Sequence, residues 1–110
     1  MFTHHQAMVY SRALIGDARY SLSYKIAADY DLTLRLLKKV KKISYLPQAI
    51  CLFESGGVSQ RQVLKGRKEQ FKARQSSGIN PIANAMVFTG QSFAYMLRKT
   101  MPALYWRLKR

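Results

Sequence analysis

Asp29 and Asp31 stand two residues apart, at the start of a stretch patterned as a helix. A carboxylate at such a place can act as a general base, taking the proton of a sugar hydroxyl as it attacks an activated electrophile. The pair also invites a divalent-cation clamp. Helical geometry argues against the clamp, because residues two apart point to different sides. The plainest reading is two acids favoured by the positive end of the helix dipole. His4 and His5 are a second candidate pair, as ligands or as donors to phosphate. In extended chain neighbours face opposite sides, and no Cys or second His cluster completes a zinc set. A surface or structural pair is the plain alternative. The run Glu54-Ser55-Gly56-Gly57-Val58-Ser59 leaves two readings open: a backbone nest for an anion, or a strand-to-helix turn. It is neither a phosphate-binding loop nor a dinucleotide fingerprint. Cys51 lies in an apolar run, where burial is expected and nothing nearby would activate the thiol.

These residues need elements to hold them. Residues 27–42 predict an amphipathic helix, with Tyr30, Leu34 and Leu37 beside Leu32, Leu36 and Val40 as one broad apolar face. Lys38, Lys39, Lys41 and Lys42 crowd its last turn, where the dipole favours cations. Short apolar runs at 43–46 and 49–53, parted by Pro47-Gln48, predict two strands, the second buried. Residues 4–10 could add another short strand, and 11–14 a turn or short helix ahead of the Gly16-Asp17 turn. Ser59 and Gln62 have capping-box spacing, so a helix is expected to about Gln75, polar almost all round. Ser76-Ser77-Gly78 closes it. Asn80 as cap and Pro81 at the first position then open an apolar helix, interrupted at Pro102.

The whole chain has 110 residues, 19 Lys+Arg against 5 Asp+Glu, and a formal net charge of +14. A hydrophobic content of 48% excludes a disordered basic tail. The single cysteine excludes an internal disulfide and fits a reducing compartment. No run approaches the roughly 18 apolar residues of a spanning helix, and no signal peptide opens the chain. The charge directs attention to nucleotide phosphates, nucleic acid or anionic lipid. The 59–75 helix carries many cations but few aromatics, so it makes a weak nucleic-acid surface. The segment 79–110 mixes aromatics, Met and terminal cations. It suits either a membrane interface or packing on the rest of a domain.

Three segments, in order, resemble the second half of family 2 inverting glycosyltransferases. These are His5-Gln6-Ala7-Met8-Val9-Tyr10-Ser11-Arg12, Tyr24-Lys25-Ile26-Ala27-Ala28-Asp29-Tyr30-Asp31, and Phe53-Glu54-Ser55-Gly56-Gly57-Val58-Ser59. They are most similar to the bacterial exopolysaccharide enzymes of the colanic-acid type. The resemblance implies an α/β fold: the acceptor-side half of a GT-A architecture, with short strands, an amphipathic helix and a helical C-terminal segment. It implies an acceptor-binding part over 1–78 and a basic, aromatic extension over 79–110. Asp29 then falls where the family places its general base, with Asp31 the weaker candidate. His5 and Gln6 would line the substrate cleft, and Gly56, Gly57 and Ser59 its rim. The nucleotide-sugar donor and its divalent cation (Mg or Mn) would be held by a half that this chain does not resemble, so the chain alone is expected to be inactive. The acceptor would be a lipid-linked glycan, and the protein peripheral on the cytoplasmic face of the inner membrane, with no nucleic-acid partner. The alternative reading is a non-catalytic basic module for anionic membrane or nucleic acid.

Overall fold

The computed structural model describes residues 4–52, 57 and 61–109. Gly56 and Ser59, and with Ser59 the expected capping box, lie outside the described residues. Among those residues five α-helices and one short 3-10 turn, His5–Ala7, follow one another. The helices are α1 (Arg12–Ile15), α2 (Ala28–Leu37), α3 (Val63–Ser76), α4 (Pro81–Thr100) and α5 (Pro102–Lys109).

The described residues contain no β-strand, so the expected α/β architecture with short strands is not what forms. Residues 43–52 run as irregular, exposed chain instead. Leu52 is 97% exposed, Tyr45 87% and Ile43 62%. Cys51 is exposed too, against the expectation of a buried run. The physical reason is pairing. An apolar run becomes a strand only against a neighbour that takes up its backbone groups, and two short strands without a covered face are marginal in water. Among the described residues no further strand adjoins them. Residues 4–10 likewise form the 3-10 turn and extended chain, not a strand.

The helices follow local signals more closely. Ser11 caps α1 by accepting from the Leu14 N–H at 3.2 Å. Asn80 caps α4 by accepting from Ile82 N and Ala83 N, with Pro81 at the first position. Gly78 closes α3 in the left-handed region (φ 75°), and the Ile79 N–H reaches back to the Arg74 carbonyl. A side chain there would meet its own carbonyl, which glycine avoids. Helix α2 stops at Leu37, earlier than the 27–42 pattern. Lys38 Nζ instead donates to the Ser77 carbonyl at 2.6 Å, capping the far end of α3.

Helix α3 is the hub. Gly66, Glu69 and Ala73 share one face, which packs on α2. Gly66 lets the helices close, since a Cβ there would stand 3.1 Å from Ile26 Cγ2. Arg67, Phe71 and Arg74 share the next face and meet α4. Arg67 lies over the Tyr95 ring, Phe71 meets Phe88 edge-on, and Arg74 Nε donates to Asn84 Oδ1 at 2.6 Å. These pairs run in opposite directions along the two helices, so α3 and α4 are antiparallel.

The interior is small and polar. Ala27, Leu36 and Ala73 are its buried apolar residues among those described, beside buried Asp31, Thr33, Arg74 and Asn84. The radius of gyration, 15.4 Å, exceeds the roughly 13 Å of a compact domain this long. Much apolar surface therefore stays outside.

Candidate functional site

The start of α2 is held from below by α3. Ala27, at the cap position, has no side chain to accept the free N–H groups. Glu69 supplies the acceptor from the neighbouring helix. Its Oε2 takes the N–H of Ile26 at 2.7 Å and of Ala27 at 3.0 Å. Burial pushes the Glu69 carboxyl up, but the backbone donors at Ala27, Ile26 and Lys25, with the Lys65 charge, outweigh it and leave it below its ordinary value. A charged carboxylate thus fixes the first turn of α2, and that turn carries Asp29.

Asp29 faces His5. His5 Nδ1 lies 2.7 Å from Asp29 Oδ2, and the two side chains are 45% and 24% exposed. Asp29 Oδ1 also accepts the N–H of Tyr30 at 2.8 Å. The 3-10 turn presents His5 to this place, and Tyr10 ties the following segment to α2 through a 3.0 Å hydrogen bond with Thr33. Two residues 24 apart in sequence, both singled out by type, are therefore brought together. The arrangement is a solvent-reachable carboxylate oriented by an imidazole N–H. Such a carboxylate can accept a proton from a hydroxyl placed beside it.

Asp31 has a different environment. It is 6% exposed and takes Arg35 Nε at 3.0 Å, while the same guanidinium donates to the Arg19 carbonyl at 2.7 Å. That carboxylate is nearly enclosed, and it holds the guanidinium that ties Arg19 to α2. Gln6 is exposed beside His5. Gly57 is exposed, with open space where a Cβ would stand. No group of three His, Cys, Asp or Glu among the described residues could hold a metal ion.

Beside this site an open hollow of about 1320 Å³ lies between residues 7–14, the end of α2 and residues 39–51. Its lining is mostly apolar, with Lys39, Lys41 and Lys42 at the margin, and includes neither His5 nor Asp29.

No protein-family model, curated protein or solved structure matches this chain.

Sequence reading missed four residues that matter here. Glu69, Arg67, Arg74 and Asn84 sit in or beside the helix interfaces, although α3 reads as a solvated charge run. A usable signal was present: 67, 71 and 74, and 84, 88, 91 and 95, repeat at alternating threes and fours. That is the spacing of a packed seam, filled here largely by polar side chains. The opposite face of α4 is apolar. Ile82, Met86, Phe93 and Met96 share it and are 72%, 70%, 59% and 54% exposed. This helix is inside-out, its polar face packed and its apolar stripe in solvent. No helix among the described residues is long and apolar enough to cross a membrane.

Proposed function

We propose that this chain is the acceptor-binding part of an inverting glycosyltransferase, with Asp29 as general base. The His5–Asp29 pair carries this reading. In the reaction an Asp29 carboxylate oxygen takes the proton of an acceptor hydroxyl. The freed oxygen attacks the anomeric carbon of a nucleotide-sugar, the nucleoside diphosphate departs with the bonding electrons, and the configuration inverts. His5 positions the carboxylate by donating from Nδ1, and the exposed Gln6 and Gly57 are assigned to the substrate side on the strength of the resemblance. The donor and its divalent cation are bound by a part other than this chain. The described residues do not fit such a cation, since Asp29 and Asp31 are taken by His5 and Arg35, so no step here runs through it.

The acceptor is a lipid-linked glycan of surface-polysaccharide synthesis, met at the cytoplasmic face of the inner membrane. The exposed stripe of α4, followed by Arg98, Lys99 and Arg107, supports that placement: apolar side chains enter the interface and cations meet anionic headgroups. Replacing Asp29 by Asn in the protein in its host should abolish polysaccharide transfer at unchanged protein abundance. Retained transfer would refute the base assignment.

The inside-out α4 also favours a second reading, a basic membrane-binding module without chemistry. That reading expects the D29N variant to behave as wild type while vesicle binding persists. A third outcome, nucleic-acid binding, would declare itself as a steep fall in affinity with salt.

A further inference from the structure

The α3–α4 seam ends in a cluster of which the transfer reading uses only Arg98, as a cation following the α4 stripe. At its other end most polar groups are matched: Arg74 donates to Asn84 Oδ1 and to Tyr30 Oη, and Asn84 Nδ2 donates to the Phe71 carbonyl, which leaves Arg74 Nη2 buried without a hydrogen-bond partner. Toward Tyr95 the matching fails. Arg67 Nε and Nη1 are buried without a hydrogen-bond partner, and so is Gln91 Oε1, one turn before Tyr95 on the inward face of α4. Arg67 lies 5.6 Å from the Tyr95 ring centroid. Arg98, on the next turn, adds a second guanidinium whose charge acts on the first.

The balance of energies shows that this is not self-sufficient. A cation–π contact to one ring does not offset the cost of leaving the two buried N–H groups of Arg67 without acceptors. A second like charge adds to that cost. Burial lowers the Arg67 proton affinity first, the Arg98 charge lowers it further, and the phenols of Tyr95 and Tyr105 only partly oppose. No carboxylate among the described residues compensates. Asp29 serves His5, Asp31 serves Arg35 and Glu69 serves α2, and Arg67 and Arg98 make no ion pair among the described residues. Two cations, two phenols and an amide that turns over to present its N–H form a donor set. The matching ligand carries about two negative charges and several acceptor oxygens, which is a phosphate monoester.

We propose that the Tyr95 end of the α3–α4 seam is a phosphate site, with Arg67 and Arg98 as its two guanidinium donors and Tyr95 and Gln91 beside them. The ligand is a phosphate group, of a lipid headgroup or of a free phosphate. The site stands apart from Asp29, so its failure leaves the transfer reading intact.

The test uses the full chain. Inorganic phosphate is titrated calorimetrically at ionic strength held with sodium chloride, and flotation compares vesicles of phosphatidylcholine with and without phosphatidic acid. Arg98→Gln removes an exposed charge without touching the packing, Arg67→Met keeps the bulk against Tyr95, and Lys42→Gln removes an equal charge elsewhere. Both arginine variants should weaken binding about tenfold, and Lys42→Gln should leave it unchanged. Saturation by inorganic phosphate identifies a free-phosphate site. Arginine-dependent retention on phosphatidic-acid vesicles alone identifies a headgroup site. Equal weakening by Lys42→Gln would reduce the effect to the overall positive field and overturn the proposal. So would a chain that neither probe engages. Melting in phosphate-free buffer separates a packing role: Arg67→Met should be at least as stable as wild type. Lost stability with unchanged phosphate affinity would make Arg67 a packing residue and sink the site.

Discussion

Asp29 and Asp31 are two carboxylates on one helix turn with opposite fates, and the difference lies in their neighbours. Asp31 is enclosed and answers Arg35. Asp29 keeps an open side and answers an imidazole N–H at one oxygen and the Tyr30 backbone N–H at the other. An open carboxylate is useful as a base only if it is aimed, and His5 is what aims it. Replacing His5 by Ala should therefore lower the transfer rate by about ten- to a hundredfold, with a smaller change in acceptor KM. Asn offers an N–H near the position of Nδ1, so His5→Asn should recover much of the loss. Steady-state kinetics of the assembled enzyme with the three residues at position 5 would check this. If Ala and Asn fall equally, the imidazole acts in some other way than by donating to Asp29.

Helix α2 depends on its neighbour for its start, because Ala27 cannot cap it. The Glu69 carboxylate does so across the helix interface, and its folded proton affinity lies below the ordinary value of 4.5. The sign follows directly. As pH falls through that ordinary value the unfolded chain takes up the proton first, so the stabilisation is complete above it and is lost as pH drops toward the lower folded value. Glu69→Gln should lower stability near neutrality by about 1 kcal/mol and flatten the acid limb of the melting-temperature profile. An unchanged acid limb would mean that Glu69 does not carry the effect. The cap also shows what was legible in the sequence. Signals contained within a few residues read correctly: Ser11, Asn80-Pro81 and Gly78 each did what their types dictate. Asp29 and His5 were recognisable by type, but their 2.7 Å contact depends on a turn at 5–7, where the poorly alternating sequence left only a short strand as the expectation. Glu69 and Arg74 were read as solvent charges because their partners lie about 42 and 10 residues away. Residues 43–52 failed as strands for the same reason, since an apolar run does not say whether another strand will be beside it.

The molecule as a whole keeps its charge and much of its apolar surface outside. Five carboxylates face 19 Lys and Arg, and three of them are engaged locally, by His5, by Arg35 and at the start of α2, so the net charge of +14 stays on the surface. Apolar surface is displayed along residues 43–52 and along the stripe of α4. The two surfaces make separate demands. The 43–52 side is irregular chain that lines the open hollow, with Lys39, Lys41 and Lys42 beside it but no helical stripe, and it suits a protein surface. The α4 stripe has cations following it, and it suits an anionic interface. If that division is right, Met86→Glu with Phe93→Glu should abolish flotation with phosphatidylglycerol vesicles. The helical circular-dichroism signal should stay unchanged, because neither side chain packs on α3. Leu52→Glu should leave flotation intact and instead reduce concentration-dependent self-association in sedimentation, since an uncovered apolar run is what drives it. An α4 variant that still floats would transfer membrane contact to the basic surface generally. A Leu52 variant that sediments like wild type would remove residues 43–52 as the self-associating face.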